Sequence, residues 1–325
     1  MKKVNLLPCK QWTASSATTI SSIGRLPALA PSARTFAKSR PTRLAFALLV
    51  LLLGCGLRVP PAEAATITEQ ASGRSMILYV PDRWSSDAGA HLGRGLVVVL
   101  HGGMGNASRI EERGAEAGLN MDAVASANGF MVAYLNGTPA TRALGGNFLA
   151  WNAGGGCCGQ AALNAVDDIG YIESVTAALV SRFQLDPKRL FVMGHSNGAM
   201  MSQLLMCKSN LFSAAVAISG PLNLASGSCS GEAGKRILAI HGSADDNVPV
   251  DGGRGSKGIS GVAFQSERHS ETLQEAAGAI YQLQLLPGVD HNLERINAAI
   301  QNSEQRSVAE KAALFFGLRT QATRP

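Results

Sequence analysis

The chain has 325 residues, with 29 Lys and Arg against 23 Asp and Glu, a formal charge of +6. The excess is uneven: residues 1–64 hold nine of the basic side chains and one acid, Glu63, so the remainder carries 20 against 22 and sits at −2. The basic balance therefore belongs to the N-terminal stretch, and nucleic acid is excluded as an expected partner of the rest.

Within that stretch, Leu44 to Leu57 is almost wholly apolar and is followed by Ala62-Glu63-Ala64. The run is about the length of a signal h-region, too short to span a bilayer, and an A-x-A site follows it. Residues 1–64 read as an export leader, leaving 65–325 as a single domain. Leu52-Leu53-Gly54-Cys55 offers a second reading, a lipid attached at Cys55 and anchoring at the cell envelope. Export would permit disulfides among Cys157, Cys158, Cys207 and Cys229. Cys207–Cys229 is the preferred pair, because both fall near the ends of consecutive elements. The cysteines lack metal-ligand spacing, and the glycine-rich segment Asp251 to Gly261 lacks the G-K-[ST] ending of a phosphate loop. Neither a metal nor another cofactor is expected.

Taken in order, Ser75 to Val80 reads as a strand. Gly95 to Leu100 is an apolar run of strand length, the mark of a strand covered on both faces, and it ends in His101-Gly102-Gly103-Met104-Gly105. A helix over Leu119 to Ala127 and a buried strand over Phe130 to Leu135 follow. A long loop then reaches about Leu163 and contains Trp151-Asn152-Ala153-Gly154-Gly155-Gly156-Cys157-Cys158-Gly159. Trp151 reads there either as filler of a hollow or as a wall of a substrate cleft. Asp167 to Phe183 is amphipathic at helical spacing, with Asp167 and Asp168 expected to cap it. A strand over Leu190 to Met193 leads into Gly194-His195-Ser196-Asn197-Gly198 and a helix. Strands over Ala214 to Ser219 and Arg236 to Ile240, a helix over Thr272 to Ala277 and an edge strand over Ala279 to Leu286 come next. Helices over Asn292 to Ile300 and Val308 to Phe316 close the chain. The alternation implies an α/β fold with a mostly parallel sheet covered on both faces.

Gly-x-Ser-x-Gly between a strand and a helix is the setting of a nucleophile elbow, with Ser196 lifted above the sheet edge. A serine needs a histidine base, and that base an acid to fix its tautomer. In this architecture the order along the chain is Ser, acid, His. The acid is expected at Asp245, in the loop after the strand ending at Ile240, with Asp246 its neighbour. The base is expected at His291, which follows a strand by a short turn, rather than at His269 in a polar stretch. Oxyanion donors are expected from the amides of Asn197, at a helix start, and Gly103, with Met104 the alternative. Trp151 and His195 stand as candidate substrate contacts.

These motifs stand together in order: His101-Gly102-Gly103, the Trp151 to Gly159 segment, Gly194 to Met201 and His241 to Pro249. Between Met76 and Phe316 the chain resembles the extracellular polyhydroxybutyrate depolymerase-like esterases, grouped with the feruloyl and acetylxylan esterases of carbohydrate esterase family 1. The resemblance implies an α/β-hydrolase fold, no metal, and a Ser196–His291–Asp245 triad acting on a small or oligomeric ester. Many relatives carry a Trp-Pro-Gly segment after the last histidine. Here His291-Asn292-Leu293-Glu294 stands instead, which points to soluble esters rather than crystalline polymer. A serine peptidase of the same fold and a non-catalytic envelope lipoprotein are the competing expectations.

Overall fold

The computed structural model describes residues 64–82, 94–111, 117–141, 148–224, 226–231, 233–257 and 261–318. The expected leader, including Cys55, lies outside them apart from Ala64. Among the described residues, no helix is long and apolar enough to cross a membrane.

Eight strands form one sheet: β1 (Ala65–Ala71), β2 (Arg74–Val80), β3 (Leu96–Leu100), β4 (Met131–Leu135), β5 (Leu190–His195), β6 (Ala214–Ile218), β7 (Arg236–Gly242) and β8 (Ile280–Leu286). Their spatial order is β1-β2-β4-β3-β5-β6-β7-β8. β1 and β2 run antiparallel, β2 pairs antiparallel with β4, and the pairs from β4 to β8 are parallel. The reversal of strand order around β3 and β5 opens a crevice at their carboxyl ends, where open α/β sheets bind ligands.

Side-chain alternation builds a core on each face. Leu96, Val98 and Leu100 of β3 join Met131, Ala133, Leu135, Leu190 and Val192 on one side, under helices α2 (Asp168–Phe183) and α3 (Asn197–Lys208). Val97 and Val99 join Val132, Tyr134, Phe191 and Met193 on the other. That face is covered by α1 (Asp122–Asn128), α5 (Leu293–Glu304) and α6 (Val308–Phe315). Because both faces are covered, the central strands read as continuous apolar runs.

Three local features differ from the sequence reading. β1 is a polar edge strand, partly exposed throughout, so its pattern gives little hydrophobic signal. Helix α4 (Glu267–Ala276) starts before Thr272, because Ser266 caps it by accepting from the His269 amide. In the long loop, Thr138–Pro139 pairs with Leu149–Ala150, and Gly159–Leu163 forms a short helix.

Cys207, near the end of α3, is bonded to Cys229, 22 residues on, and Cys157 is paired with Cys158. Closing a loop of that length restricts the unfolded chain by about 3 kcal/mol. A Cys207→Ala/Cys229→Ala variant is expected to lose about that much unfolding free energy in urea titrations.

Candidate active site

Ser196 caps α3 with φ 56° and ψ −121°, a backbone state that a non-glycine residue adopts only when its surroundings impose it. The surroundings are tight. A Cβ on Gly194 would lie 2.5 Å from the Gly198 carbonyl carbon, and one on Gly198 would strike the carbonyls of Leu100 and His101. Both glycines are therefore required by close approach. The turn is held by Ser196 N–H donating to Ile218 O at 2.8 Å and by Met200 N–H donating to Ser196 O at 3.0 Å.

The structure brings Ser196, His291 and Asp245 together. His291 Nε2 lies 2.9 Å from Ser196 Oγ, and His291 Nδ1 lies 2.7 Å from Asp245 Oδ2. Asp245 Oδ1 accepts from the Asn247 and Val248 amides at 2.9 and 2.8 Å. Burial would raise the Asp245 pKa, but hydrogen bonds from His241 and His291 outweigh it and hold the carboxyl well below the usual carboxylate range. Asp246 points outward to Lys257 at 2.8 Å. His269 lies on α4 with Nε2 against Leu224 O at 2.9 Å, so it is partly buried in a helix rather than solvated in a loop.

Gly103 and Asn197 line the same cleft as Ser196 and His291, and a Cβ on Gly103 would lie 3.6 Å from Asn197 Cβ. Met104 N–H donates to Leu149 O at 2.8 Å, which ties the alternative donor into the loop. The Asn197 side chain has a separate task. Its Oδ1 accepts from Trp151 N–H at 2.7 Å and its Nδ2 donates to Trp151 O at 3.0 Å, clamping the long loop to the elbow helix.

Of its two readings, Trp151 matches the filler of a hollow, and it is absent from the cleft lining. It is fully buried, its indole donates to His101 O at 3.0 Å, and its ring lies against His101 and Tyr171. The indole is large and needs one acceptor, and the hollow beneath the loop supplies both. Asp168 also departs from expectation. Asp167 caps α2 by accepting from the Gly170 amide, whereas Asp168 is buried, ion-paired with Arg74 at 2.5 Å and accepting from Asn152 N–H at 2.7 Å. Asp168 thus anchors the loop rather than the helix end.

His195 lines the cleft, but its Nε2 donates to His291 O at 3.0 Å. Burial, reinforced by the nearby His291, lowers its pKa to about 3, so the ring is neutral and braces the backbone of His291. His101 is likewise neutral, lowered to about 4 by burial; its Nδ1 donates to Gly102 O and its Nε2 accepts from Gly137 N–H. His241 is the opposite case. Burial disfavours its charge, but hydrogen bonds to Asp245 and Glu267 raise its pKa to about 10. The sequence reading assigned no separate role to His241, which enters it only as the first residue of the His241 to Pro249 motif, or to Glu267, which lies in a polar stretch with no motif.

The cleft has a volume of about 840 Å³. Met104, Ala140, Ala150, Met200 and Phe264 supply apolar lining, and Arg109, Lys257 and Asp290 supply charge.

Two outcomes follow from these contacts. The unfolded chain protonates His101 near pH 6.5 and the native chain only near pH 4, so native stability is full above 6.5 and falls as pH drops through that window. The loss amounts to about 3 kcal/mol. Urea midpoints at pH 7 and pH 4.5 read this loss together with that of His195, which has the same sign, and His101→Gln should remove only the His101 share of the dependence. Asn197→Ala breaks both Trp151 bonds and is expected to lower stability by about 2 kcal/mol in the same titration.

Comparison with known proteins is consistent with this architecture. Residues 121–233 match the prolyl oligopeptidase family, a segment that contains Ser196 but neither Asp245 nor His291. The chain is 31% identical over 187 residues to feruloyl esterase B of Piromyces equi, covering 55% of this chain and 31% of that protein. It thus spans about a third of the length of the curated relative it matches. Among solved structures, S-formylglutathione hydrolase from Agrobacterium tumefaciens aligns with TM-score 0.50 at 14% identity, covering 78% of this chain and 96% of that one. A truncated carbohydrate esterase from gut microbiota aligns with TM-score 0.50 at 14% identity, covering 80% and 97%. At such identities the structural likeness speaks to fold. With its sheet order and its strand–serine–helix turn, the chain has the α/β-hydrolase fold.

Proposed function

We propose that the protein is a serine carboxylesterase working through an acyl-enzyme, with 65–325 as its catalytic domain. The observation that carries this reading is the unbroken line Asp245–His291–Ser196, with links of 2.7 and 2.9 Å, opening on the cleft. Asp245 holds the His291 Nδ1–H and so presents Nε2 as a base. Nε2 takes the Ser196 proton as Oγ attacks the ester carbonyl. The amides of Gly103 and Asn197 receive the oxyanion, a donor pair of the kind worth about 3 kcal/mol per amide in the transition state. His291 then protonates the leaving alcohol, and water repeats the sequence in reverse to free the acid.

The substrate class we propose is a soluble short-chain ester, feruloyl, acetyl or hydroxyalkanoate oligomer. The likeness to feruloyl esterase B and the apolar stretch of lining beside Ser196 support it. A peptidase reading is favoured by the prolyl oligopeptidase match over 121–233. We also propose export to the periplasm or medium, with lipid anchoring through Cys55 as the variant form. The leader pattern and the Cys207–Cys229 bond, of a kind that persists in oxidising compartments, support this.

A panel of acetyl, butyryl, feruloyl and hydroxybutyryl esters, run beside peptide anilides, separates the two chemistries. Turnover is expected on esters, and turnover confined to anilides would overturn the esterase reading. A fluorophosphonate is expected to label Ser196. Asp245→Asn should lower kcat by about 10⁴-fold with little change in KM.

A further inference from the structure

The polar chain does not stop at Asp245. His241, at the end of β7, is fully buried and has an acceptor at each ring nitrogen. Nδ1 lies 2.8 Å from Glu267 Oε1. Nε2 lies 2.9 Å from Val248 O and 3.3 Å from Asp245 Oδ2. A neutral imidazole has one N–H, so either tautomer would set a lone pair against an acceptor on one side. Two N–H groups satisfy both sides, and the ring that carries two is the imidazolium.

Its counter-ion is equally well held. Glu267 is fully buried at the first position of the ten-residue helix α4, where the helix dipole favours a carboxylate. Glu267 Oε2 accepts the Tyr281 hydroxyl at 2.6 Å from β8 and the Gln203 amide at 3.2 Å from α3. Gln203 is itself fixed by donating to Gly220 O at 3.0 Å and accepting at its backbone carbonyl from Gln274 Nε2 at 2.9 Å. The charged and titratable groups around His241 are thus Asp245 from its own loop and Glu267 from α4, with Tyr281 behind Glu267. His291 and His195 lie on the Ser196 side.

We propose that His241 is a positioning residue: an imidazolium held between Glu267 and Asp245, which shares the Asp245 carboxylate with His291 and aims it at that ring. The proposal rests on the triad reading above. It extends the line to Glu267⁻–His241⁺–Asp245⁻–His291–Ser196, in which charge alternates fully once His291 has taken the serine proton. Without the His241 charge, the Asp245 carboxylate faces His291 with its negative charge undivided.

The test is the pH profile of kcat/KM on a p-nitrophenyl ester. His241→Gln is expected to move the acid limb upward by about 1 pH unit. A variant whose activity falls with the limb in place would assign His241 a merely structural role and overturn the proposal. Ring ¹⁵N spectra of the native enzyme decide the charge independently, even if the variant fails to fold. Two protonated nitrogens at His241 at pH 8, reduced to one in Glu267→Gln, are expected. A neutral ring in the native enzyme would overturn the proposal. Fluorophosphonate labelling of the native protein keeps the two readings apart: failure to label Ser196 counts against the triad, while the ring spectrum still reports on His241.

Discussion

The close passage of β5 and α3 beneath the end of β3 governs this site. No Cβ fits at Gly194 or Gly198, and Ser196 between them is held at positive φ. Such a conformation costs about 1–3 kcal/mol and persists only where packing over-determines it. Here the packing is that of α3, in which every residue from Asn197 to Cys207 is buried. A helix buried all round has no polar face to place toward water. Its register is fixed by the core on its own face of the sheet and by Asn197, whose side chain pins Trp151 and, through the indole, the backbone of His101. The nucleophile turn and the Gly102–Gly103 turn are thereby held as one unit.

Three histidines at strand ends show how environment decides the state of one residue type. His101, His195 and His241 are each buried in apolar layers at the carboxyl ends of β3, β5 and β7. His101 and His195 find carbonyls and an amide, which a neutral ring satisfies. His241 finds two carboxylates and a carbonyl, which a neutral ring does not. Desolvation acts on all three; only the paired acids outweigh it. The result is neutral bracing on one side of the cleft and a buried ion group on the other.

Much of the fold is legible in the sequence because the central strands are short, continuous apolar runs followed within two residues by glycine. Leu96–Leu100, Met131–Leu135 and Ala214–Ile218 are buried at every position, the pattern the chain displays. The outer strand β1 is not legible, because a polar edge carries no such periodicity. The geometry that brings Ser196, Asp245 and His291 together is approachable from chain order and strand-end position alone. Trp151, Asp168 and Glu267 are not, since each depends on a partner far away in sequence. Asp168 is 94 residues from Arg74, and Glu267 is 64 from Gln203. An acid near a helix start reads as a cap until the distant cation is known, and a tryptophan among glycines reads equally as filler of a hollow or wall of a cleft until the hollow beneath it is known.

The members of the Ser196 line come from the ends of three strands on one side of the sheet, with His291 separated from Ser196 by 95 residues and from Asp245 by 46. His291 follows β8, the last strand of the sheet, which is held in place by its parallel pairing with β7. No contiguous fragment carries the assembly, and a growing chain lacks it until the final strand docks. On the proposed reading, a polypeptide threaded through a membrane in extended form would travel with Ser196, Asp245 and His291 unassembled. Its chemistry would switch on only where folding finishes.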